Sequence, residues 1–398
     1  MQPSTLVDFD GTLAGKIIAL GVTGSIAAVR VVDLARDLIR RGARVQCIMT
    51  PAARLIINPY ALEYATTIPA ITEITGKVEH VGLCGKGGEA DMLLIAPATA
   101  NTISKIAVGI DDTPVTTFAT TAIGSGKPVA VVPAMHEAMY NHPAVIRNIQ
   151  TLKAMGVTII SPRIEEGKAK IASSRSIIWE VERLLGPKDM ADKKVMITSG
   201  STAERVDPIR VLTNKSSGRT GVEIAKESYR RGAEVTIVHR FLQDLPFRQI
   251  YAESAREMLD VVLSELNEDY DAFISAAAIS DYTLDSCPQK IKSDQDLILK
   301  LRPTKKIIRS VRSAYPDLKV VGFKAETSVT EEELVKSATE SMTNSNWDMA
   351  VANDVGSGGI GTEENKVLII DRNGRKIQAC GKKNLIARII VDALVQIL

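Results

Sequence analysis

The chain has 398 residues, 45% hydrophobic and 24% charged, a globular composition too long for one ordinary hydrophobic core. Lysine and arginine (49) nearly balance aspartate and glutamate (47), and a net charge of +2 gives no electrostatic reason to expect a nucleic acid or an acidic membrane as partner. The four cysteines, Cys47, Cys84, Cys287 and Cys380, form no CxxC or CxxH pair, which argues against a structural zinc site and a disulfide framework and fits a reducing cytoplasm. No apolar run reaches about 18 residues, so no membrane span is expected. Residues 1–14 lack a basic stretch followed by an apolar core, and read as a short extension rather than a signal peptide.

The first half alternates strand and helix. Lys16–Val22 is a buried-strand pattern, and Ser25 caps a helix that runs to about Arg41, where Gly42 stops it. Strands follow at Arg44–Met49 and Asp91–Ile95, the second leading through Pro97 into a helix to about Val108. Thr113–Ile123 reads as a helix, Pro128–Val132 and Thr158–Ile160 as strands, and Ile177–Leu185 as a helix ending at Gly186-Pro187. Residues 186–193 are polar, carry the Gly-Pro break and read as a linker. The alternation then restarts: strands at Lys194–Thr198, Glu234–Val238, Ala272–Ala276, Val320–Phe323, Met349–Ala352 and Val367–Ile370, and helices at Thr220–Arg231, Ala255–Leu266, Glu331–Met342 and Leu385–Leu398. The fold class expected is α/β, with two doubly wound, mostly parallel-sheet (Rossmann-like) domains. Such sheets bind ligands beyond the carboxyl ends of their strands, so the strand-end loops are the places to look.

In the first half, Gly21–Ala28 (GVTGSIAA) ends a strand and opens a helix. Small residues there let backbone amides approach a phosphate, and the helix dipole favours an anion. The spacing is not GxGxxG and suits a mononucleotide better than a dinucleotide; a plain tight turn explains it equally well. Ala96–Thr102 (APATANT) opens another helix at another strand end, where Thr99 is an N-cap candidate. With Pro133–Tyr140 (PAMHEAMY), these elements in this order resemble the homo-oligomeric flavin-containing cysteine decarboxylases, over roughly residues 16–185. The resemblance implies a flavodecarboxylase-type flavoprotein in which Gly24, Ser25 and Ile26, with Thr50 and the loop Pro97, Ala98, Thr99, Ala100 and Asn101, hold FMN. It implies that His80 is the catalytic histidine, a base near the substrate thiol in the right pKa range, and that Met135 and His136 contact substrate. Two departures stand out. The family has asparagine where this chain has His136; both side chains can donate a hydrogen bond to a carboxylate. Bacterial relatives carry a proton-donating cysteine on a substrate-covering flap, and the corresponding Pro162–Ser174 has none. Lys168 and Lys170 on that stretch could grip a phosphate, although solvated lysines are the plainer reading.

In the second half, Thr198–Gly218 is a long small-and-polar loop between a strand and a helix, rich in Ser, Thr, Arg, Lys and main-chain amides that suit phosphate groups. Downstream come Ala276–Tyr282 (AAAISDY), Lys290-Ile291-Lys292, Pro303–Lys306 (PTKK), Val321–Thr327 (VGFKAET) and Ala352-Asn353-Asp354. This series resembles phosphopantothenate–cysteine ligase over nearly all of residues 190–398. The resemblance implies activation of a carboxylate as an acyl-nucleotidylate, release of pyrophosphate, and attack by the amine of cysteine. Lys290 matches the activating lysine, whose ammonium neutralises charge on the phosphates. Arg210 and Asn214 match residues that hold the acyl-nucleotide; Ala277, Asp281, Lys292 and Phe323 fall at substrate-binding positions, Asp281 near the nucleotide or its metal and Phe323 near the base. CTP is the implied co-substrate, with ATP left open, and Mg²⁺ is expected with the triphosphate; the metal-binding residues are unknown. Bacterial members have Pro-Asp where this chain has Pro303-Thr304. They also carry lysines on the helix before the Ala-Asn-Asp motif, where this chain has Lys336, Ser341 and Ser345.

Together the resemblances imply a cytoplasmic, bifunctional enzyme of coenzyme A biosynthesis. Residues 1–189 would decarboxylate the phosphopantothenoyl-cysteine that residues 190–398 make, with small molecules as partners, and with trimers of the first domain and dimers of the second. The alternatives are a flavin-dependent decarboxylase of another substrate, or a regulatory flavoprotein with only one active half. A nicotinamide dehydrogenase would need GxGxxG and a ribose-binding acid about 20 residues on, and neither glycine loop fits.

Overall fold

Along Ile17–Val22, Ile18, Leu20 and Val22 turn to one face and Ala19 to the other, and all four are completely buried. A strand buried on both faces cannot alternate with polar residues, which is why this one is an unbroken apolar run. The computed structural model describes residues 11–165, 168–292, 296–357, 362 and 364–398, with main chain only at 164–165, 168–169 and 357. Two compact units divide the chain, Met1–Leu185 and Gly186–Leu398.

In the first unit, five parallel strands lie in the order β2-β1-β3-β4-β5: β1 Ile17–Val22, β2 Arg44–Met49, β3 Met92–Ala98, β4 Val129–Pro133 and β5 Thr158–Ile159. Helices α1 (Val31–Arg40), α2 (Ala100–Ala107), α3 (Pro114–Gly124), α4 (Pro143–Ala154) and α5 (Ser174–Leu185) accompany them. The two faces carry separate cores, one with Leu34, Leu38 and Ile177, the other with Phe118, Ile103 and Leu152. The chain order reverses between β1 and β3, which is the switch point of a doubly wound sheet.

In the second unit, eight strands run β8-β7-β6-β9-β10-β11-β12-β13: β6 Lys194–Ser199, β7 Glu234–His239, β8 Arg248–Tyr251, β9 Ala272–Ser275, β10 Lys319–Glu326, β11 Met349–Asp354, β12 Glu364–Asp371 and β13 Lys376–Lys382. The first six are mutually parallel, and β12 and β13 add antiparallel. The helices are α6 (Arg219–Arg230), α7 (Ala255–Glu265), α8 (Ile307–Ala314), α9 (Glu331–Ser345) and α10 (Lys383–Val395). Here the switch lies between β6 and β9. The expected α/β, doubly wound class is therefore what both units adopt.

Local differences have local causes. The helix expected to start at Ser25 begins as a 3-10 turn, Ile26–Arg30, before α1. Pro97, expected after a strand, lies within β3, joined to Ala96 by a cis peptide bond. The 186–193 stretch is docked rather than loose: Met190 is completely buried in the second unit's core, and Asp189 accepts from Arg231 Nη1 at 3.1 Å.

Candidate functional site

Beyond the carboxyl ends of β1 and β3, one buried hydroxyl ties two loops together. Thr23 Oγ1 donates to the Pro97 carbonyl at 2.7 Å and accepts from the Thr99 amide at 3.1 Å. Ser25 and Thr99 each head a helix in extended backbone, their side chains accepting from the amides of Ala27 and Thr102. Because the chain after Ser25 winds as a tight 3-10 turn, Ile26 and Val29 remain 77% and 55% exposed. Gly24 is required by packing: a Cβ there would lie 2.5 Å from the Cβ of Ala52.

These loops surround a cavity of about 610 Å³ whose wall includes Gly24, Ser25, Ile26, Thr99, Ala100, Met135 and His136. Seven of the residues named from the sequence thus meet at one place. Arg30, Arg163 and Lys170 add positive charge to the wall and Val29, Met139 and Ile171 add apolar surface; of these only Lys170 was considered from the sequence, as a possible phosphate contact. Their signal was weak, because Arg30 and Met139 occupy ordinary helical positions. The stretch bearing Arg163 and Lys170 is a hairpin, Arg163–Glu165 with Lys168–Lys170, that pairs with the Met135–His136 strand. Glu166, Gly167 and the Lys168 side chain lie outside the described residues. His136 caps the short helix Glu137–Tyr140, its Nδ1 accepting from the Ala138 amide at 3.4 Å, so in the neutral ring Nε2 carries the proton.

Other named residues stand back from this cavity. Thr50 is buried and caps the helix Pro51–Arg54, its amide donating to the Val22 carbonyl at 3.0 Å. Pro97 and Ala98 are buried within β3, and Asn101 is exposed on the first turn of α2. His80 sits on the short helix Glu79–Cys84, edge-on to Phe118 with centroids 6.3 Å apart. Its Nδ1 is buried without a hydrogen-bond partner, and it does not line the cavity of its own chain. Its neighbours Val78 and Val81 are half exposed. Burial pushes the Cys47 thiol up to about 12 and the Cys84 thiol up to about 11, the latter against the opposing charge of Lys127; neither lines the cavity.

In the second unit the long loop after β6 is organised as a small hairpin, Ala203–Arg205 with Val211–Thr213, closed by Asp207. The Asp207 side chain is fully buried. Its carboxylate accepts from the amides of Ile209 (2.8 Å), Arg210 (2.7 Å) and Ile291 (3.1 Å) and from Arg210 Nη1 (2.5 Å). Burial alone would raise this carboxyl, but the three amides and the guanidinium outweigh it and hold it near 2. Arg210 Nη1 also reaches the Ile291 carbonyl at 3.0 Å, so Arg210 lies against the segment that carries Lys290 and Lys292. Both lysines are exposed. Asn214 Nδ2 donates to the carbonyls of Ala278 (3.1 Å) and Ile279 (3.3 Å), at the mouth of β9.

A cavity of about 320 Å³ follows, in whose wall Ala277, Asp281 and Phe323 come together; Arg210, Asn214, Lys290 and Lys292 do not line it. Its wall also holds Lys305, Lys306, Arg309, Lys324, Ser341, Asn344, Ser345 and Trp347. Arg309, Asn344 and Trp347 were not singled out from the sequence; the apolar-basic periodicity of Ile307–Ala314 was the available signal for Arg309. Asp281 is the one carboxylate in this wall among the described residues, and Lys306 Nζ is ion-paired to it at 2.5 Å. No group of three or more His, Cys, Asp and Glu side chains able to hold a metal occurs among the described residues. No helix among them is long and apolar enough to cross a membrane.

Residues 10–186 match the Flavoprotein family, and residues 190–398 match the DNA/pantothenate metabolism flavoprotein C-terminal domain. The chain is 48% identical to the coenzyme A biosynthesis bifunctional protein CoaBC of Thermococcus kodakarensis, over 95% of this chain and 94% of that one. It is 39% identical to the protein of the same name from Methanocaldococcus jannaschii, over 95% and 93% of the two chains. With that of Escherichia coli the identity is 32%, over 96% and 98%.

Proposed function

The chain belongs to the family of bifunctional coenzyme A biosynthesis proteins, its first half a flavoprotein, and on that premise we propose how its two cavities divide the work. The enzyme ligates cysteine to 4'-phosphopantothenate and decarboxylates the resulting 4'-phosphopantothenoyl-cysteine to 4'-phosphopantetheine. Residues 1–185 carry the decarboxylase and 186–398 the ligase, a boundary slightly upstream of the 189/190 expected from the sequence, because Asp189 packs with the second unit.

In the first cavity, FMN lies against Gly24, Ser25, Ile26, Thr99 and Ala100. An exposed isoleucine beside two helix-heading hydroxyls suits a group that is flat and apolar at one end and anionic at the other. Bound there, FMN would take two electrons from the cysteinyl thiol so that the neighbouring carboxylate can leave as carbon dioxide, and would return them to the decarboxylated product, with no net oxidation. His136 donates its Nε2–H to that carboxylate, and Arg30, Arg163 and Lys170 face the substrate phosphate. His80, with a buried and unpartnered Nδ1, receives the thiol proton. Since His80 does not line the cavity of its own chain, a homo-oligomer in which one copy's His80 serves another's cavity fits best, with Val78 and Val81 as apolar contacts. A trimer of this unit is the form proposed.

In the second unit, the substrate carboxylate attacks the α-phosphorus of CTP, pyrophosphate leaves, and the amine of cysteine then attacks the acyl carbon and displaces CMP. Ala277, Asp281 and Phe323 receive the nucleotide, Lys290 neutralises charge on its phosphates, and Arg210 and Asn214 hold the acyl-nucleotide. The observation that carries this reading is that Ala277, Asp281 and Phe323, from the ends of two strands, line one polar cavity beside the switch point. Mg²⁺ enters with the triphosphate, because a single ion-paired carboxylate is no cage for it. Four free cysteines support a cytoplasmic location.

The test is mass spectrometry of the products formed by the purified protein from 4'-phosphopantothenate, cysteine, Mg²⁺ and either CTP or ATP. Formation of 4'-phosphopantetheine is expected, faster with CTP. Absence of any condensation product with either nucleotide refutes the ligase assignment, and accumulation of phosphopantothenoyl-cysteine alone refutes the decarboxylase assignment.

A further inference from the structure

The loop after β6 is laced along its length to the segment beyond β9. The Gly200 carbonyl accepts from the Ala278 amide (2.7 Å) and Thr202 Oγ1 from the Ser280 amide (2.9 Å). Glu204 Oε2 accepts from the Thr283 hydroxyl (2.6 Å) and the Val206 carbonyl from the Cys287 amide (2.9 Å). The last rung is Asp207, which reaches Ile291, the residue between Lys290 and Lys292. Building on the ligase reading, we propose that Asp207 is a positioning residue of that half. It holds the Arg210 guanidinium and the main chain beside Lys290 in one frame, so that one buried side chain supports both the activation of the substrate carboxylate and the amine attack that follows.

The two oxygens of Asp207 serve different groups. Oδ1 accepts from the amides of Ile209 and Arg210 and so shapes its own turn. Oδ2 accepts from Arg210 Nη1 and from the Ile291 amide, both beyond that turn. Arg210 Nη1 in turn donates to the Ile291 carbonyl, which closes a ring of three bonds through Asp207, Arg210 and Ile291. Ile291 is thereby fixed at its amide and its carbonyl alike. The backbone on which Lys290 stands cannot shift without breaking one of the two.

Arg210 is anchored in a way that leaves it free to work. Nη1 commits both of its protons to the ring. Nε and Nη2 have no protein partner among the described residues, and the side chain is 41% exposed. Asp207 itself is committed entirely: its side chain is fully buried and its four bonds fill the about four acceptor sites of a carboxylate. Held near 2, it stays ionised at neutral pH and takes no part as acid or base. Neither Asp207 nor Ile291 lines the second unit's cavity, where Ala277, Asp281 and Phe323 stand, so nucleotide binding and the ring are separable.

Asparagine is the informative substitution. In Asp207→Asn the oxygen can stay with the Ile209 and Arg210 amides and keep the turn. The side-chain nitrogen then meets two donors, Arg210 Nη1 and the Ile291 N–H, and the ring opens. The full chain is assayed, below the variant's unfolding transition, for pyrophosphate release from CTP and 4'-phosphopantothenate and for the reaction of accumulated acyl-nucleotide with cysteine. Hydrogen exchange of the Ile291 amide is followed alongside. Asp207→Asn should slow both steps roughly 10- to 100-fold, the cost of misplacing reacting groups by about an ångström. It should leave the nucleotide KM unchanged and speed exchange at Ile291. In a Lys290→Gln background it should add little further loss to pyrophosphate release, because it acts on that step through Lys290. Arg210→Ala opens the same ring with the carboxylate still in place, and carries the exchange readout if Asp207→Asn does not fold. Unchanged exchange at Ile291 overturns the proposal whatever the rates, and so does loss of one step alone. Faster exchange in a protein that forms no acyl-nucleotide with CTP or ATP supports Asp207 as the pin of this segment and refutes the ligase reading instead.

Discussion

Gly322 on β10 offers a direct test of how the second unit's cavity is held open, and of its proposed role in holding a nucleotide. Its backbone is ordinary extended strand, so alanine is conformationally welcome and only space decides the outcome. That space is filled: a Cβ would lie 2.3, 2.4 and 2.5 Å from three carbons of the Trp347 ring, where ordinary contact begins at 3.4 Å. The ring must therefore retreat by about an ångström, yet Trp347 is almost wholly buried and a fused ring cannot bend aside. Overpacking of this kind costs about 1–3 kcal/mol. For a unit of this size that corresponds to a fall in unfolding temperature of roughly 2–12 °C. The functional effect follows from position, since Trp347 and the adjacent Phe323 both line the cavity. In Gly322→Ala the second unit's calorimetric transition should fall and the nucleotide KM should rise. Decarboxylation of supplied phosphopantothenoyl-cysteine should be untouched. An unchanged transition together with an unchanged KM would refute the claim that Trp347 packs against this strand and shapes the cavity.

Three further expectations come from buried or unpartnered groups. Asp207 is held near 2, below an ordinary carboxyl, so the stability it contributes is complete above the unfolded value of about 3.9 and is lost as pH falls from there through about 2. Asp207→Asn should start less stable at neutral pH and lose less between neutral pH and pH ~3, as read by thermal unfolding; a parallel loss in both proteins contradicts the assignment. His80→Asn should abolish carbon dioxide release while the protein remains yellow, and full decarboxylation by that variant would remove His80 from the mechanism. Lys290→Gln should stop pyrophosphate release; release at the parent's rate would show that another group activates the carboxylate.

The central strands were legible because they are buried on both faces and read as apolar runs; Arg44–Met49 was recovered with its limits intact. Edge elements were not. β8 is largely exposed and β13 alternates a buried Ala379 with charged and polar residues, so neither forms an apolar run. The short helices Pro51–Arg54 and Pro59–Thr66 depend on caps, Thr50 and Asn58, rather than on a long amphipathic face. At the first site the sequence order predicted which loops would meet, because strand ends at a switch point converge by topology. Individual depths were not legible: Thr50, a strand-end threonine, is buried, accepts from the Ala53 amide at 3.2 Å and stands back from the cavity. Gly24 lines the cavity, and its lack of a side chain is required by Ala52, whose Cβ an added Cβ would meet at 2.5 Å. At the second site the hub role of Asp207 was invisible, since it depends on Ile291 arriving from 84 residues away.

The anchoring of Met190 and Asp189 means that the boundary between the two halves does not coincide with the polar stretch that reads as the linker in the sequence. Biochemically, that stretch belongs to the ligase half: Met190 fills a space in its core, and Asp189 shares Arg231 with Glu227 and Asp392. A ligase half severed at Lys194, where its sheet begins, would lose that plug and one carboxylate of the Arg231 cluster. One severed at Gly186 would keep both. The two halves of the gene can therefore be parted cleanly only upstream of the linker's own charged residues, and any natural or engineered fission of this enzyme should respect that boundary.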